Sequence, residues 1–324
     1  MKNILVTGGA GYIGSHVVRD LNDNGYKVIV LDNLSEGHKG SIAGNEFVQG
    51  DINDSEILSN IFPKYKIDAV MHFCAFAYVG ESVENPEKYY KNNVSATINL
   101  LSSMIKYKVK HFIFSSTCAT YGNPVYIPID EKHPQNPINP YGNSKLMVEK
   151  ILSDYSNAYG LNYIALRYFN AAGAHPDGKI GESHRLETHL IPLVLKTLTK
   201  EKESINIFGD DYDTPDGTCI RDYIHVCDLA SAHRSALENL LSGGENKTIN
   251  LGTGIGVSVK EIIKICEKVT GMKVPATVCA RRKGDPPSLV ASNGYAKEVL
   301  GFSPKFDINE TIKTAWEWEQ NRRY

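Results

Sequence analysis

At 324 residues the chain is long enough for one large or two ordinary domains, and its 35 Lys and Arg nearly balance its 37 Asp and Glu, so we expect neither nucleic acid nor an anionic membrane as a partner. The N-terminal apolar run, Ile4 to Thr7, is far too short for a signal peptide or a membrane span, which predicts a cytoplasmic protein. The six scattered cysteines show neither C-x-x-C nor zinc-type spacing, so reduced thiols and no metal site are predicted.

Short apolar runs alternate with longer amphipathic segments in the first half of the chain. The predicted strands are Asn3–Thr7, Lys27–Asp32, Glu46–Gly50, Ala69–Phe73, His111–Ser115 and Asn162–Tyr168. The predicted helices between them are Gly14–Asn24, Tyr89–Tyr107 and Asn143–Tyr159. This alternation is typical of an α/β protein in which crossover helices cover a doubly wound parallel sheet.

The regular alternation of predicted strands and helices ends after Asn170. Gly, Pro and Asp recur through Ala174–Gly181 and Gly209–Gly217, and irregular segments separate the helices. The predicted helices of this half are Leu190–Leu198 and Val259–Val269. We therefore predict a first domain over residues 1–170 and a smaller mixed α/β domain over 171–324. The parts of 218–252 expected to complete the first sheet are Arg221–Leu229 and Thr248–Leu251.

A glycine-rich turn follows the first predicted strand and opens the first helix. Gly8, Gly11 and Gly14 permit a tight turn and a close backbone approach, so that a pyrophosphate can contact free N–H groups at a helix N-terminus. Asp32 ends the second strand, where its carboxylate can accept hydrogen bonds from ribose hydroxyls and would repel a 2′-phosphate. The pattern predicts a Rossmann-type site for NAD rather than NADP. Asp51, after the third strand, is placed to meet the adenine, although it is also typical of a helix cap.

Tyr141 and Lys145 lie one helical turn apart on the same predicted helix face. A tyrosine, with an unperturbed pKa of about 10, is a poor base near neutral pH unless a nearby cation stabilises the phenolate, and Lys145 can supply that cation. Thr117 follows the strand that begins at His111. Since the carboxyl ends of parallel strands line the ligand crevice, its hydroxyl can relay a proton between a substrate and Tyr141.

Eight segments carry a combination of residues that is specific to one family. They are TGGAGYIGSH (Thr7–His16), Asp32-Asn33-Leu34, GESVENPEKYYKNNV (Gly80–Val94), FSSTCATYG (Phe114–Gly122), PYGNSK (Pro140–Lys145), RYFNAAGAHPDG (Arg167–Gly178), DGTCIRDYIHVCDLA (Asp216–Ala230) and RRKGDPP (Arg281–Pro287). Over essentially its whole length the chain resembles the extended short-chain dehydrogenases that modify nucleotide sugars, and among them the members that invert the sugar 4-position. The resemblance implies that the first domain binds NAD and the second a UDP-sugar.

The resemblance also implies a role for each matching residue. Tyr141 is implied to be the general base, Thr117 to hydrogen-bond the sugar, and Lys145 to bind the nicotinamide ribose and lower the tyrosine pKa. The implied cofactor contacts are Gly8, Gly11, Tyr12, Ile13, Gly14, Asp32, Asn33, Asp51, Ile52, Phe73, Asn92, Lys145 and Tyr168. The implied UDP-sugar contacts are Thr117, Tyr141, Asn170, His189, Leu190, Arg221, Tyr223, Arg282, Asp285 and Leu289. A homodimer formed by the helices Tyr89–Tyr107 and Asn143–Tyr159 is implied as well.

Two residues depart from the pattern of some family members. Ala77 stands where some of them carry a lysine that reaches the cofactor phosphates, a contact that alanine cannot make. Leu289 stands at a sugar-pocket position that is tyrosine in some members and a small residue in others. Leucine at this position leaves acceptance of an N-acetyl group open.

The residues after Thr117 discriminate among the reactions of the family. The related dehydratases carry an Asp-Glu pair there and the decarboxylases a glutamate in this segment, whereas this chain has Cys118 and Ala119, neither of which is a general acid or base at pH 7. The expected reaction is therefore oxidation at the sugar 4-position, rotation of the keto intermediate and re-reduction, which interconverts UDP-galactose and UDP-glucose and extends to UDP-GlcNAc and UDP-GalNAc. The alternatives are a 4-epimerase for UDP-pentoses or UDP-N-acetylhexosamines and a non-enzymatic NAD-binding sensor or scaffold.

Overall fold

A large parallel sheet forms the centre of the protein. A computed structural model describes residues 1–42, 44–282 and 284–324. The strands are β1 Asn3–Thr7, β2 Lys27–Asp32, β3 Glu46–Gln49, β4 Ala69–His72, β5 His111–Thr117, β6 Asn162–Tyr168, β7 Asn170–Ala172, β8 Ile205–Phe208, β9 Ile220–His225, β10 Lys247–Leu251, β11 Gly256–Ser258, β12 Ala276–Cys279 and β13 Ser288–Leu289. The helices are α1 Tyr12–Asp23, α2 Ser55–Tyr65, α3 Val79–Glu84, α4 Pro86–Tyr89, α5 Ala96–Lys106, α6 Pro140–Tyr159, α7 Leu190–Leu198, α8 Val226–Leu241, α9 Val259–Thr270, α10 Gly294–Leu300 and α11 Ile308–Gln320. Short 3₁₀ turns cover Lys39–Ile42 and Cys118–Thr120, and a π-helical turn covers Tyr90–Ser95.

The strands of the large sheet all run parallel, in the order β10-β6-β5-β4-β1-β2-β3. The winding direction reverses at β1, where Thr7 lies opposite Leu31 of β2 on one side and His72 of β4 on the other. In doubly wound sheets, ligands bind outside the carboxyl ends of the strands at such a reversal. The Rossmann-type fold predicted from the sequence is therefore confirmed.

Helices cover both faces of this sheet, which explains the consecutive apolar residues of its central strand. Ile4 and Val6 of β1 are fully buried in the core formed with α1 and α8, whereas Leu5 between them is fully buried in the core formed with α2, α5 and α6. Successive strand residues point to opposite faces, so a strand between two helical layers favours apolar residues at consecutive positions. None of the helices within the described ranges is long and apolar enough to cross a membrane.

The second half of the chain builds smaller sheets beside the first. β9 pairs with β7, β11 and β13, and β8 pairs with β12. Of the two segments expected to return to the large sheet, Thr248–Leu251 does so within β10. The expectation for Arg221–Leu229 is wrong: this segment forms most of β9 and the start of α8, because β7, directly after the large sheet's β6, offers β9 a pairing edge.

Helix α6 begins at Pro140, three residues before the predicted start at Asn143. The side chain of Asn139 accepts a hydrogen bond from the N–H of Gly142 at 2.8 Å, and proline fits the first helical position because it has no N–H to satisfy there. Tyr141 therefore lies in the first turn of the helix.

An ion pair between Glu149 of α6 and Arg167 of β6 is buried where this helix packs on the sheet. Arg167 Nε donates to Glu149 Oε1 at 2.9 Å, and both side chains are only 6% exposed. The hydroxyl of Ser116 on β5 donates to the same carboxylate. Arg167 Nη1 also donates to the hydroxyl of Tyr121 at 2.9 Å, which in turn donates to Asn250 at 2.6 Å. Every charge of this network has a partner, so removing one member leaves another buried and unpaired.

We predict that Glu149→Ala lowers the free energy of unfolding by about 3–5 kcal/mol, because the buried guanidinium of Arg167 loses its counter-ion. The double variant Glu149→Ala/Arg167→Ala should lose less than the sum of the single losses, since the two side chains interact directly. Denaturant-induced unfolding measures all three variants. The matched control is Glu87→Ala, which breaks an ion pair with Lys91 whose side chains are 73% and 74% exposed, and which should cost far less stability than Glu149→Ala because solvent screens the exposed charges. A Glu149→Ala loss no larger than this control would contradict the prediction.

Candidate active site

The glycine-rich turn lies at the carboxyl end of β1. A Cβ atom on Gly8 would lie 2.6 Å from the backbone nitrogen of Cys74, and one on Gly14 would lie 2.2 Å from the carbonyl oxygen of Gly8, so both positions require glycine. Gly8 also has a φ of +74°. At Gly11 the nearest atom to such a Cβ is 3.4 Å away, which leaves the N-terminus of α1 open to a phosphate. Ile13, further along α1, packs against the core.

The carboxylate of Asp32 lies beside this turn at the end of β2. Its oxygens accept hydrogen bonds from the backbone N–H groups of Ala10 at 2.9 Å and Leu34 at 2.8 Å, and burial raises its pKa. A carboxylate oxygen has a further lone pair for a ribose hydroxyl. The residues present therefore fit NAD: the turn accommodates a pyrophosphate, and a 2′-phosphate would meet a negative charge.

Asn33, Asp51 and Ile52 continue this edge of the crevice. Asn33 Nδ2 donates to Asp51 Oδ2 at 2.7 Å, and the other Asp51 oxygen accepts from the backbone and side chain of Asn53. The N-cap of α2 is Asp54, not Asp51. The side chain of Ile52 is buried in the core, so only its backbone is available to a ligand.

Three further predicted cofactor contacts lie around the crevice. The Tyr12 hydroxyl donates to the carbonyl oxygen of Gly173 at 2.6 Å, which ties the glycine-rich turn to the chain after β7. Phe73 directly follows β4, and its backbone N–H donates to Thr7 of β1 at 2.8 Å. Tyr168 ends β6, where its hydroxyl is hydrogen-bonded to that of Ser115. Phe73 and Tyr168 lie at the carboxyl ends of β4 and β6, and Tyr12 begins the helix that follows β1, so all three lie at the same edge of the parallel sheet.

The chain is helical over nearly the whole predicted range Tyr89–Tyr107, but a π-helical turn that contains Asn92 and Asn93 is inserted between α4 and α5. Asn92, the predicted cofactor contact, donates to the Asn93 side chain at 3.0 Å. Asn93, which was not predicted, is buried and bonds through its amide to both backbone groups of Phe76 and to the hydroxyl of Ser144 on α6, all at 3.0 Å. No residue pattern in this helix reveals the turn in advance, although π-turns are frequent at functional sites.

The structure brings Thr117, Tyr141 and Lys145 together at the carboxyl end of β5. Burial raises the pKa of Tyr141 to about 12, and the hydrogen bond with Thr117 lowers it only in part. Lys145 Nζ donates to the carbonyl oxygen of Ser115 at 2.8 Å, and burial lowers its pKa to about 7. The protein residues alone therefore do not produce a tyrosine of lowered pKa, and a further positive charge beside the phenol is needed.

A cavity of about 200 Å³ is lined mainly by residues of the strands β7, β8 and β9 and of helix α7. Seven of the ten residues predicted to bind the UDP-sugar line it, namely Asn170, His189, Leu190, Arg221, Tyr223, Arg282 and Asp285. Thr117, Tyr141 and Leu289 are not among its lining residues in the described part of the chain. Residues far apart along the chain thus meet in one pocket.

Two guanidinium groups give this pocket a positive character. Arg221 Nη1 donates to the carbonyl oxygen of Pro286 at 2.9 Å, and its Nη2 lies 3.8 Å from Asp285 Oδ1. The guanidinium of Arg282 lies 4.5 Å from the centre of the Phe208 ring. Paired guanidinium forks suit a diphosphate, and the carboxylate suits ribose hydroxyls. Phe208, which ends β8 and also lines this pocket, was not predicted.

Leu289 lies close both to Arg221 of the pocket and to the residue that follows Thr117. It pairs with Arg221 across β13 and β9, and its side chain belongs to the apolar cluster that contains Phe169 and Cys118. Cys118 directly follows Thr117. Leu289 therefore lies between the charged end of the pocket and the strand end that carries Thr117.

Known proteins match this chain over nearly its whole length. A model of the NAD dependent epimerase/dehydratase family matches residues 4–252. The UDP-glucose 4-epimerase of Halalkalibacterium halodurans is 54% identical over 98% of this chain and 95% of that protein. The crystal structure of UDP-glucose 4-epimerase from Brucella ovis in complex with NAD is 51% identical, with a TM-score of 0.96 over 98% of each chain. That of UDP-glucose-4-epimerase from Stenotrophomonas maltophila, with bound NAD and formylated UDP-arabinopyranose, is 39% identical, with a TM-score of 0.95 over 99% of this chain and 98% of that one.

These matches agree with the resemblance predicted from eight sequence segments. The family model alone spans more than half of the chain, and it includes the glycine-rich turn and the residues Thr117, Tyr141 and Lys145. The chain belongs to the NAD-dependent epimerase/dehydratase family.

Proposed function

We propose that this chain interconverts UDP-glucose and UDP-galactose as an NAD-dependent 4-epimerase. The proposal rests on the grouping of Thr117, Tyr141 and Lys145 at the carboxyl end of β5. Thr117 is followed in the chain by Cys118 and Ala119, where a dehydratase has an acidic pair. The relatives from H. halodurans and B. ovis, at 54% and 51% identity, are UDP-glucose 4-epimerases. The NAD and UDP-sugar bound in the related structures support the same cofactor and substrate class.

In this proposal Tyr141 takes the proton of the sugar 4-hydroxyl and later returns it. Thr117, hydrogen-bonded to Tyr141, relays the proton between the sugar and the phenol. Lys145 uses one N–H for the carbonyl of Ser115, and its remaining N–H groups bind the nicotinamide ribose. Its ammonium form favours the phenolate of Tyr141, as does any other cation nearby. A positioned proton acceptor of this kind contributes about 10²–10⁴-fold to a rate.

The remaining residues hold the substrate while its sugar turns. NAD, when bound at the glycine-rich turn, supplies the hydride chemistry by taking a hydride from the sugar 4-position and returning it. Arg221 and Arg282 hold the diphosphate and Asp285 holds the ribose hydroxyls, so the nucleotide stays anchored. Leu289 and Cys118 present apolar surface on the sugar side, which lets the 4-keto sugar rotate between the two hydride transfers.

Turnover of UDP-galactose to UDP-glucose without added NAD is the direct test. A redox-neutral reaction has no reason to release its cofactor, so the purified protein should carry NAD and be active as isolated. Chromatographic analysis of incubations with UDP-hexoses and UDP-pentoses separates the alternatives. A sensor or scaffold would leave every UDP-sugar unchanged, and a pentose enzyme would convert the UDP-pentose at the highest kcat/KM.

We predict that Tyr141→Phe lowers kcat at least about 10²-fold and leaves the Kd for UDP unchanged, because it removes only the phenolic oxygen. Steady-state kinetics and calorimetry measure the two quantities. Tyr159→Phe, at the exposed far end of the same helix, is the matched control and should retain full activity. Activity of Tyr141→Phe within about tenfold of the wild type would assign the base to another residue.

We further propose that UDP-N-acetylglucosamine is a slower substrate than UDP-glucose, and that Leu289 sets the difference. A packed pocket resists the added volume of an acetamido group at a cost of about 1–3 kcal/mol, which corresponds to roughly a 5- to 150-fold lower kcat/KM. Leu289→Tyr should suppress the N-acetyl reaction selectively, because the ring occupies the remaining space. Leu241→Tyr, at the end of α8, is the control and should affect neither pair of sugars. A wild type that prefers the N-acetyl sugar, or equal effects of Leu289→Tyr on both pairs, would contradict this role.

We also propose that the protein is a cytoplasmic homodimer. All six cysteines are free thiols, which is typical of a reducing compartment. Ile98 of α5 and Met147 of α6 are 38% and 45% exposed, so apolar surface is available on the two helices implied to form the dimer.

Sedimentation at micromolar concentration should show a particle of two 35.9 kDa chains. Met147→Glu is expected to shift it toward the monomer, because an interface at that position would bury the introduced carboxylate. Ile255→Glu, an exposed position outside α5 and α6, is the control and should leave the dimer intact. A monomeric wild type would reject the dimer.

A further inference from the structure

Four side chains of one loop converge just before helix α7. Glu182, His184, Glu187 and His189, here called the His-Glu cluster, each place one nitrogen or oxygen atom within 4.8 Å of the others. Their pattern along the chain is Glu-x-His-x-x-Glu-x-His. The cysteine spacing predicted no metal site, but the His-Glu cluster contains no cysteine and combines imidazole with carboxylate, the ligand types that zinc accepts.

Several distances within the His-Glu cluster are close to the edge of a tetrahedron around a metal ion. His184 Nδ1 lies 3.2 Å from Glu182 Oε1, and His189 Nδ1 lies 2.7 Å from the same oxygen. Glu187 approaches the histidines with different oxygens, Oε2 at 3.4 Å from His184 Nδ1 and Oε1 at 3.2 Å from His189 Nδ1, so only one of these two separations belongs to a single set of four ligand atoms. Ligands held about 2.0–2.1 Å from a tetrahedral ion lie about 3.3 Å from one another. The His184–Glu182 separation and either Glu187 separation have this length, whereas His189 and Glu182 would move slightly apart around a bound ion.

Glu182 distinguishes the cluster from a simple set of ion pairs. The residue is 7% exposed, and its buried Oε1 accepts no directed hydrogen bond within the described chain, although His184 and His189 each place a nitrogen within 3.2 Å. A histidine nitrogen and a carboxylate oxygen that are close but not aligned for a hydrogen bond are expected when both direct a lone pair at the same metal ion. A buried acceptor left in this state is rare in proteins and calls for a partner.

The charges of the cluster also favour a cation. Within the described ranges, Glu182 and Glu187 form ion pairs with the two histidines and with no lysine or arginine. Two carboxylates with two neutral imidazoles carry two negative charges, which one divalent ion balances.

We propose that the His-Glu cluster is a binding site for a divalent transition-metal ion of the zinc class. The His184 ring packs edge-on against Tyr12 of α1 with the ring centres 6.1 Å apart, and His189 both lines the substrate pocket and directly precedes α7. The ion therefore ties the loop to the cofactor turn and to the pocket at once. Its role is to hold these parts together, since the proton transfers use Thr117 and Tyr141.

The metal content of the protein tests the proposal without reference to catalysis. Purified protein is stripped with a chelator, incubated with Zn²⁺ near neutral pH, passed through a desalting column and assayed by elemental analysis. About one equivalent of zinc should remain on the wild type, and its Tm should rise on zinc addition because the ion binds the folded state. Glu182→Gln and His184→Asn should each retain less than about a tenth of an equivalent and show no rise in Tm.

His175→Asn is the matched control, because His175 faces a single carboxylate, Asp177, at 2.8 Å and lies outside the cluster. This variant should bind zinc like the wild type. X-ray absorption of the zinc-loaded wild type provides a second test that needs no variant, and it should show two imidazoles and carboxylate oxygens at about 2.0–2.1 Å. Less than a tenth of an equivalent on the wild type, equal retention by the cluster variants, or a shell without imidazole would overturn the proposal.

Discussion

The buried ion pair between Glu149 and Arg167 holds helix α6 in place against the sheet. Tyr141, Lys145 and Glu149 follow one another at four-residue intervals on α6, so they share the face that packs on the sheet. Glu149 is bound to Arg167 and also to Ser116, the residue before Thr117. A single network therefore sets both the position of the helix that carries the phenol and that of the strand end that carries the hydroxyl. Because ion pairs in a protein interior demand good geometry to compensate their desolvation, the network defines this position closely.

The strands and the glycine-rich turn could be predicted from the sequence because local patterns determine them. β1, β2 and β6 have the predicted bounds, since apolar runs between turn residues have few other solutions in a buried sheet. Other features depend on contacts between distant residues. The amide of Asn93 reaches across to Phe76 to stabilise the π-turn, and no periodicity reveals such a contact in advance. The helix was accordingly predicted without the π-turn that lies within it.

In the candidate site, too, one part follows from local sequence patterns and another depends on contacts between distant residues. The cofactor side comes from the ends of adjacent strands, and the alternation of strands and helices places Gly8 and Asp32 together. On the substrate side, Asn170, Arg221 and Asp285 meet through short strands of the small sheet, which composition and spacing alone do not locate. The resemblance to nucleotide-sugar enzymes named these residues, whereas the folded chain shows how they meet. The His-Glu cluster was not predicted as a metal site, because its residues follow no metal spacing considered, and the resemblance named only His189 of the four, as a UDP-sugar contact.

The late position of β10 in the chain has a consequence for biosynthesis. This strand completes the sheet beside β6, yet it begins at Lys247, about eighty residues after β6 ends at Tyr168. At roughly 5–20 residues per second, a ribosome needs about 4–16 seconds to supply it. During that interval the edge of β6 is unpaired and the sheet face later covered by α8 is exposed, which are the conditions under which nascent chains aggregate. The order of synthesis thus makes the middle of translation the vulnerable period, and a chaperone that shields β6 would act before Lys247 emerges.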